Sequence, residues 1–175
     1  MAVKEKLTVA QYLALPETKP YLEYVCEEVV RKAMPNTDHF QIVQKVALRV
    51  GRHDEQAAGG HCGPEPRIRF ATERGLEYRI PDFAYWAPGR PFSDGDDMLP
   101  ATLAVEVRSP DETMAEQREK CRYYRRYGVQ VCWLFDPPTR TVEVFEGGVD
   151  GEVRAVLESA FVPGLRIVAA TLFPA

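Results

Sequence analysis

Two apolar stretches decide the fold: YRIPDFAYW at residues 78–86 and LAVEV at residues 103–107. The first has the composition of a strand, and its Pro81, which lacks a backbone N–H, predicts an edge, a bulge or a strand start at that point. The second is apolar almost throughout, as expected of a strand that is covered on both faces. Each stretch contains one carboxylate, Asp82 in the first and Glu106 in the second. These two acids are the first candidates for functional residues.

A carboxylate inside an apolar strand is costly in free energy unless it is paired with a cation or bound to a metal. If the two strands are neighbours, Asp82 and Glu106 meet at one point and form an oxygen-rich site suited to Mg²⁺ or Mn²⁺. Such an ion activates water and offsets the charge that develops when a phosphodiester is attacked, and a nearby cation holds the water or the charged oxygens. The residues alone leave a second interpretation open, in which Asp82 is a turn residue and Glu106 pairs with an arginine.

A helix and a further strand follow the second stretch. The helix is predicted to begin at Ser109 or Asp111 and to end near Tyr127, with Gly128 as the residue that closes it. The apolar run at residues 131–135 is predicted to be the next strand. A strand, a helix and a strand in this order imply a parallel strand pair joined by a right-handed crossover.

The remaining segments add helices and strands around this unit. Thr8 and Gln11 have the spacing of a capping box at the start of a short helix. The other predicted elements are a strand or hairpin at 21–30, a helix from Asn36 or Thr37 to Asp54, a glycine loop at 59–63, a strand at 67–70 and a hairpin over 141–157. We therefore predict an α/β fold, with a mixed β-sheet flanked by helices and an additional β-hairpin, in one domain over residues 1–175.

The composition excludes several classes of protein. The chain has 175 residues, with 22 basic and 26 acidic side chains and a net charge of −4. No apolar run approaches the ~20 residues of a membrane-spanning helix, so we expect no membrane association. The charged N-terminus lacks the apolar stretch of a signal peptide. The four cysteines form no C-x-x-C pair, which favours reduced thiols in a cytoplasmic protein over a zinc ribbon or a disulfide framework.

The basic residues are unevenly distributed. A sequence pI of about 5.5 is untypical of a non-specific polyanion binder, although net charge does not describe a local cleft. Five basic side chains lie within nine residues, from Arg118 to Arg126. Such a run is usually a solvated helix face. If the two acids form a nuclease site, the run is instead the natural wall for contacts with phosphates.

The order of the two acidic motifs resembles a known signature. Pro81-Asp82 followed by Glu106-Val107-Arg108 resembles the PD-(D/E)xK nuclease signature, with arginine where lysine is usual. The wider chain is similar to one branch of that superfamily, the Uma2 family (DUF820) of restriction-type endonucleases. The matching stretches follow the family's order over nearly the whole chain: 8–16, 21–25, His39 with the apolar positions of its helix, 78–84, 104–110, Glu119-Lys120 with Tyr123 and Tyr124, 128–129 with 133–137, 141–145 and 163–165.

This resemblance implies a restriction-endonuclease-like core and hydrolysis of phosphodiester bonds with a divalent metal. It assigns Asp82 and Glu106 as catalytic metal ligands, with the carbonyl of Val107 as a third ligand. The signature lysine is displaced to the following helix in this family, which makes Lys120 the residue that positions or deprotonates the attacking water. Glu23 matches the family's N-terminal acid, which reaches the metal directly or through water in related nucleases.

The chain departs from the usual family sequence near Glu23 and at Arg108. Where the family usually has valine, aspartate, glycine and glutamate, residues 25–28 are valine, cysteine, glutamate and glutamate. Glycine tolerates a positive φ and glutamate does not, so the choice between Glu23 and Glu28 as the acid that faces the metal stays open. Arg108 can supply positive charge but is a poor base. For His39, at a helix start, a capping or packing role is favoured over a role near the site.

We therefore expect a Mg²⁺- or Mn²⁺-dependent endonuclease that cleaves double-stranded DNA. A homodimer is expected, because cutting both strands often uses two related active sites and two-fold dimers are the commonest assembly. The alternative is a nuclease-fold DNA-binding or regulatory protein without catalytic activity, which the altered turn and the acidic pI favour. A two-carboxylate glycosidase would need a cleft with aromatic platforms, and no such pattern is seen in the sequence.

Overall fold

The computed structural model describes residues 6–57, 59–93, 95 and 98–174. The helices in this part of the chain are α1 (Val9–Leu13), α2 (Thr37–Ala57) and α3 (Met114–Arg126), with a final 3₁₀ turn at Ala169–Leu172. The strands are β1 (Leu22–Val25), β2 (Glu28–Arg31), β3 (His61–Pro64), β4 (Ile68–Thr72), β5 (Gly75–Arg79), β6 (Phe83–Trp86), β7 (Leu103–Val107), β8 (Val131–Asp136), β9 (Thr141–Glu146), β10 (Val149–Val153), β11 (Val156–Ser159) and β12 (Val162–Val168). None of the described helices is long and apolar enough to cross a membrane.

A six-stranded mixed sheet forms the centre of the protein. Its strand order is β10-β9-β8-β7-β6-β3. Strands β7 and β8 are parallel, and α3 connects them, which confirms the predicted strand–helix–strand unit. The other neighbouring strands of this sheet are antiparallel. The predicted α/β class and mixed sheet are therefore confirmed.

Alternate residues of β7 face opposite layers of the protein, as the pleat of a strand requires. Leu103, Val105 and Val107 pack in the core with the apolar stripe of α2. Ala104 packs on the other face of the sheet with buried residues of α3. Glu106 lies two residues after Ala104 and therefore faces α3. The position of one acid thus follows from the register of the central strand.

A second, four-stranded antiparallel sheet has the order β2-β1-β5-β4. Three tyrosines, Tyr12, Tyr24 and Tyr78, pack together against it and join α1 to the sheet. The capping box predicted from Thr8 and Gln11 is present at the start of α1. This sheet positions residues of β1 and of the segment after β2 beside the central sheet.

The chain passes from the second sheet to the central sheet at Pro81. The stretch 78–86 is interrupted at its proline, as predicted, but its two parts lie in different sheets, because β5 ends at Arg79 and β6 begins at Phe83 in the other sheet. A proline cannot donate a hydrogen bond to a sheet, which is why the ladder stops there. Asp82 consequently lies at the point where the two sheets meet.

Three smaller predictions also need correction. Part of the predicted glycine loop is the edge strand β3, which is held by its ladder to β6 and not by an apolar pattern. The cap of α3 is Thr113, because Glu116 completes a capping box with it three residues later. The hairpin predicted over 141–157 ends at Val153, and β11 and β12 form a further hairpin.

Replacement of Gly128 by alanine tests the closure of α3. Gly128 has φ +108°, and an added Cβ would lie 3.3 Å from the Cβ of Pro100. We expect Gly128→Ala to lower the free energy of unfolding by about 1–2 kcal/mol, since a side chain is disfavoured in this conformation. Urea denaturation measures the change. Gly148→Ala is the control, because its added Cβ meets no atom within 4 Å; equal losses in both variants would contradict this explanation.

Candidate functional site

Asp82 is fixed to β7 by two hydrogen bonds. Its backbone N–H donates to the carbonyl of Val105 at 3.0 Å, and its Oδ2 accepts the backbone N–H of Val107 at 2.8 Å. Glu106 lies between these two residues of β7. Both acids are buried, with 3% of Asp82 and 2% of Glu106 exposed. Asp82 directly precedes β6, the neighbour of β7, and so lies beside the strand that carries Glu106 without being part of a strand itself.

Two further side chains hold the Asp82 carboxylate. The Nζ of Lys32 donates to Asp82 Oδ1 at 2.8 Å and to the carbonyl of Ile80 at 2.7 Å. The Nε2 of His39 lies 3.3 Å from Asp82 Oδ2. Burial acts to raise the pKa of Asp82, but the charge of Lys32 and the hydrogen bond from His39 outweigh it and hold the pKa well below its usual range. Asp82 is thus an anion at any physiological pH.

The negative charge of Glu106 is less fully compensated by its neighbours than that of Asp82. The hydroxyl of Tyr124 donates to its Oε1 at 2.7 Å, and the Nζ of Lys120 lies 3.1 Å from the same oxygen. Burial raises the pKa of Glu106 to about 7, and the negative charge of Asp82 adds to that rise while Lys120 opposes it. The two acids therefore differ in their protonation near neutral pH.

Lys120 links Glu106 to the N-terminal acid. Its Nζ lies 3.3 Å from Glu23 Oε1, and this oxygen also accepts the backbone N–H of Ile80 at 2.8 Å. Arg79 lies 3.8 Å from the other oxygen of Glu23. Burial acts to lower the pKa of Lys120, but the charges of Glu106 and Glu23 outweigh burial and hold the pKa well above its usual range. Lys120 is therefore an ammonium group that can orient or stabilise an oxygen, and it is not a base in this arrangement.

The two candidate acids near the N-terminus lie in different surroundings. Glu23 is buried in the cluster, whereas Glu28 pairs with Val25 across the β1–β2 ladder and is only half-buried. The turn between them forms without glycine, since Cys26 and Glu27 adopt φ values of 54° and 64°. Two residues other than glycine thus adopt a positive φ in this turn, at some cost in backbone strain.

Arg108 does not take the place of the signature lysine. Its Nε and NH2 groups both lie 2.7 Å from Asp136 Oδ1, and its NH1 donates to the carbonyl of Glu112. The guanidinium group is therefore occupied at the end of β8. Of Arg108 and Lys120, only Lys120 contacts Glu23 and Glu106.

Three residues of the cluster were not assigned to it from the sequence. Lys32 gave no signal, because it follows an exposed strand and belongs to no periodic pattern. His39 does start a helix, with Asn36 accepting its backbone N–H at 2.9 Å, but its ring also contacts Asp82. The sequence assigns no role of its own to Tyr124, although it lies one helical turn after Lys120 and thus on the same face of α3.

A cleft of about 780 Å³ opens over the cluster, and Glu23, Lys32 and Lys120 line it. The predicted arginine wall on α3 is only partly available. Arg118 pairs with Glu143 at 2.6 Å, and Arg122 pairs with Asp150 at 2.9 Å. Arg122 and Arg126 of that run do line the cleft, together with Arg31, Arg74 and Arg79 from other elements. The acids Asp111, Glu112, Glu116 and Glu119 line it as well.

The chemistry of the donor set fits a hard divalent cation. Asp82 and Glu106 supply carboxylate oxygens, and Val107, the last residue of β7, supplies a peptide carbonyl. Carboxylates and carbonyls are the ligand types of Mg²⁺ and Mn²⁺. In the described part of the chain, no group of three or more His, Cys, Asp or Glu side chains is positioned to hold a metal ion. Side-chain cations of the protein contact both carboxylates, so metal binding would require their partial displacement.

Comparison with known proteins identifies the family and the fold of the chain. The model of the Uma2 family, described as "Putative restriction endonuclease", matches residues 9–172. A solved crystal structure of a "putative nuclease belonging to DUF820" from Anabaena variabilis superposes with a TM-score of 0.81. The two proteins are 23% identical, over 95% of this chain and 97% of the other, so the likeness shows a shared fold. The comparison with curated proteins found no match.

Replacement of Asp82 by asparagine tests the charge compensation. Asp82→Asn leaves the buried ammonium of Lys32 without its carboxylate, so we expect a loss of about 3 kcal/mol or more in the free energy of unfolding. Urea denaturation without metal measures it. The control is Glu65→Gln, which breaks the exposed Lys19–Glu65 pair and should cost at most about 1 kcal/mol. A loss for Asp82→Asn no larger than the control's would contradict the compensation.

The raised pKa of Glu106 predicts a pH dependence of stability. Because the folded state binds this proton more tightly than the unfolded state, the contribution is full below pH 4.5 and is lost as pH rises towards about 7. We expect Glu106→Gln to lack this fall. Urea denaturation of wild type and variant between pH 4.5 and 8, with a chelator present, measures the difference. Glu119→Gln, at an exposed acid of α3, should follow the wild type; parallel curves for all three proteins would contradict the assignment.

Proposed function

The chain belongs to the Uma2 family, and we propose that it is a divalent-metal-dependent endonuclease that hydrolyses phosphodiester bonds in double-stranded DNA. The observation that carries this proposal is the convergence of Asp82 and Glu106 beside the buried ammonium group of Lys120. Two carboxylates and one cation, held by a central sheet and the helix that follows it, are the groups that such a reaction requires.

Asp82, Glu106 and the carbonyl of Val107 are the proposed metal ligands, with Glu23 as a supporting acid. When bound there, Mg²⁺ or Mn²⁺ would activate a water molecule and offset charge on the phosphate. Glu23 contacts the Nζ of Lys120 at 3.3 Å and so fixes where that ammonium group lies. The proposed catalytic set is therefore Asp82, Glu106, Lys120 and Glu23.

Lys120 is proposed to orient the attacking water or to stabilise the charged oxygens of the transition state. A preorganised donor in a buried site is effective because no solvent reorganisation is needed during the reaction. The high pKa of this lysine keeps it in the donating form. Tyr124 supports the same role indirectly, since its hydrogen bond at 2.7 Å fixes the orientation of the Glu106 carboxylate.

The cleft above the cluster is the proposed position of the DNA backbone. Arg31, Arg74 and Arg126 lie along it, and contacts of arginine with phosphates make binding strongly dependent on salt. A homodimer would bring two such clefts to the two strands of a duplex. The alternative, a nuclease-fold DNA-binding or regulatory protein without catalysis, is favoured by one observation: the acids of the cluster are already ion-paired with lysines.

A plasmid-nicking assay separates the two functions. We expect the wild type to nick supercoiled DNA with Mg²⁺ or Mn²⁺ and not with a chelator. Glu106→Gln and Lys120→Met should each lower the rate by about 10²-fold or more, since each removes a group that acts in the transition state.

Lys19→Met is the matched control, because Lys19 lies on the surface with 69% of its side chain exposed. It should nick at the wild-type rate. Wild-type DNA binding without nicking at any metal concentration would favour the regulatory alternative. Nicking that Glu106→Gln leaves unchanged would exclude this cluster as its source.

A further inference from the structure

Lys32 is the one lysine of the cluster that the proposed reaction does not use. It lies in the segment between β2 and α2, and its side chain is 10% exposed. The ammonium group donates to Asp82 Oδ1 at 2.8 Å and to the carbonyl of Ile80 at 2.7 Å. A buried lysine with two fixed acceptors needs a reason, because removal of an ammonium group from water is costly.

Lys32 contacts Asp82 Oδ1, the carboxylate oxygen that is not bonded to the central sheet. The other oxygen, Oδ2, accepts the backbone N–H of Val107 at 2.8 Å and lies 3.3 Å from the ring of His39. The N–H of Val107 is part of the central sheet and cannot move away. His39 is anchored at the start of α2 and contacts Ser109 at 3.3 Å through its other ring nitrogen. Lys32 is therefore the most readily exchanged partner of this carboxylate.

The surroundings also allow Lys32 to leave. Residues 32–36 have no regular secondary structure, and Lys32 itself lines the cleft of about 780 Å³. Its four-carbon side chain can reach other positions in that space without a change in the sheets. The second buried ammonium group, on Lys120, repels Lys32 and offsets part of the attraction from Asp82, Glu106 and Glu23.

We propose that Lys32 is a displaceable internal counter-ion that competes with the divalent metal for Asp82. In the absence of metal it neutralises and orients the carboxylate. When a metal ion arrives, Lys32 withdraws into the cleft, so its interaction with Asp82 sets the metal concentration at which the site fills. This inference rests on the proposed function, because it requires Asp82 to be a metal ligand.

Calorimetric titration with Mn²⁺ tests the competition. Lys32→Met removes the charge and keeps most of the side-chain volume, so Mn²⁺ should bind at least about tenfold more tightly than to the wild type, as expected when a like charge within a few ångströms is removed. Lys32→Gln, which retains a hydrogen-bond donor, is the second variant in case Lys32→Met does not fold. The increase in Tm on addition of Mn²⁺ should likewise be larger in both variants than in the wild type.

Arg31→Met is the matched control. Arg31 is the preceding basic residue and also lines the cleft, but it is exposed, so its loss should leave Mn²⁺ affinity within about twofold of the wild type, in keeping with solvent screening of an exposed charge. Binding to the wild type with equal or weaker binding to both Lys32 variants would overturn the role of Lys32 and leave the metal site intact. No binding to any of these proteins would overturn the metal site itself.

Discussion

The structure depends on one buried cluster of acidic and basic side chains whose charges compensate one another. Glu23, Asp82 and Glu106 are each almost fully buried, and Lys32 and Lys120 contact them at 2.8–3.3 Å. Each of these charges would be costly alone, since burial of an unpaired ion removes its hydration. Together they connect both sheets and α3, because every member comes from a different segment of the chain.

The compensation is uneven, and this unevenness gives the two central acids different properties. Asp82 has a cation or a hydrogen-bond donor on each oxygen, and its pKa is held low. Glu106 faces the aromatic layer of α3, where burial raises its pKa to about 7. Acids whose environments move their pKa values in opposite directions are typical of functional sites.

The sequence predicted the parts of the site that depend on local pattern. Asp82 and Glu106 could be found because an acid in an apolar strand is unusual. Lys120 was found through its resemblance to a family motif, since its local sequence is that of an ordinary basic helix. Lys32 could not be found by either route. Tyr124 could have been, because it lies four residues after Lys120 on the same helix face.

The sequence by itself determined the central strand–helix–strand unit, the apolar faces of α2 and β7, and the presence of two acids in strand-like stretches, because these follow from short-range periodicity and the cost of buried charge. Tertiary structure alone decided that the chain changes sheets at Pro81, that Glu23 rather than Glu28 enters the cluster, and that Lys32 pairs with Asp82. The contact of Lys32 with Asp82 and that of Glu23 with Ile80 join residues that are 50 and 57 positions apart in the chain. No local pattern encodes such a pairing, because it depends on how the two sheets pack and on which charges remain without water when they do.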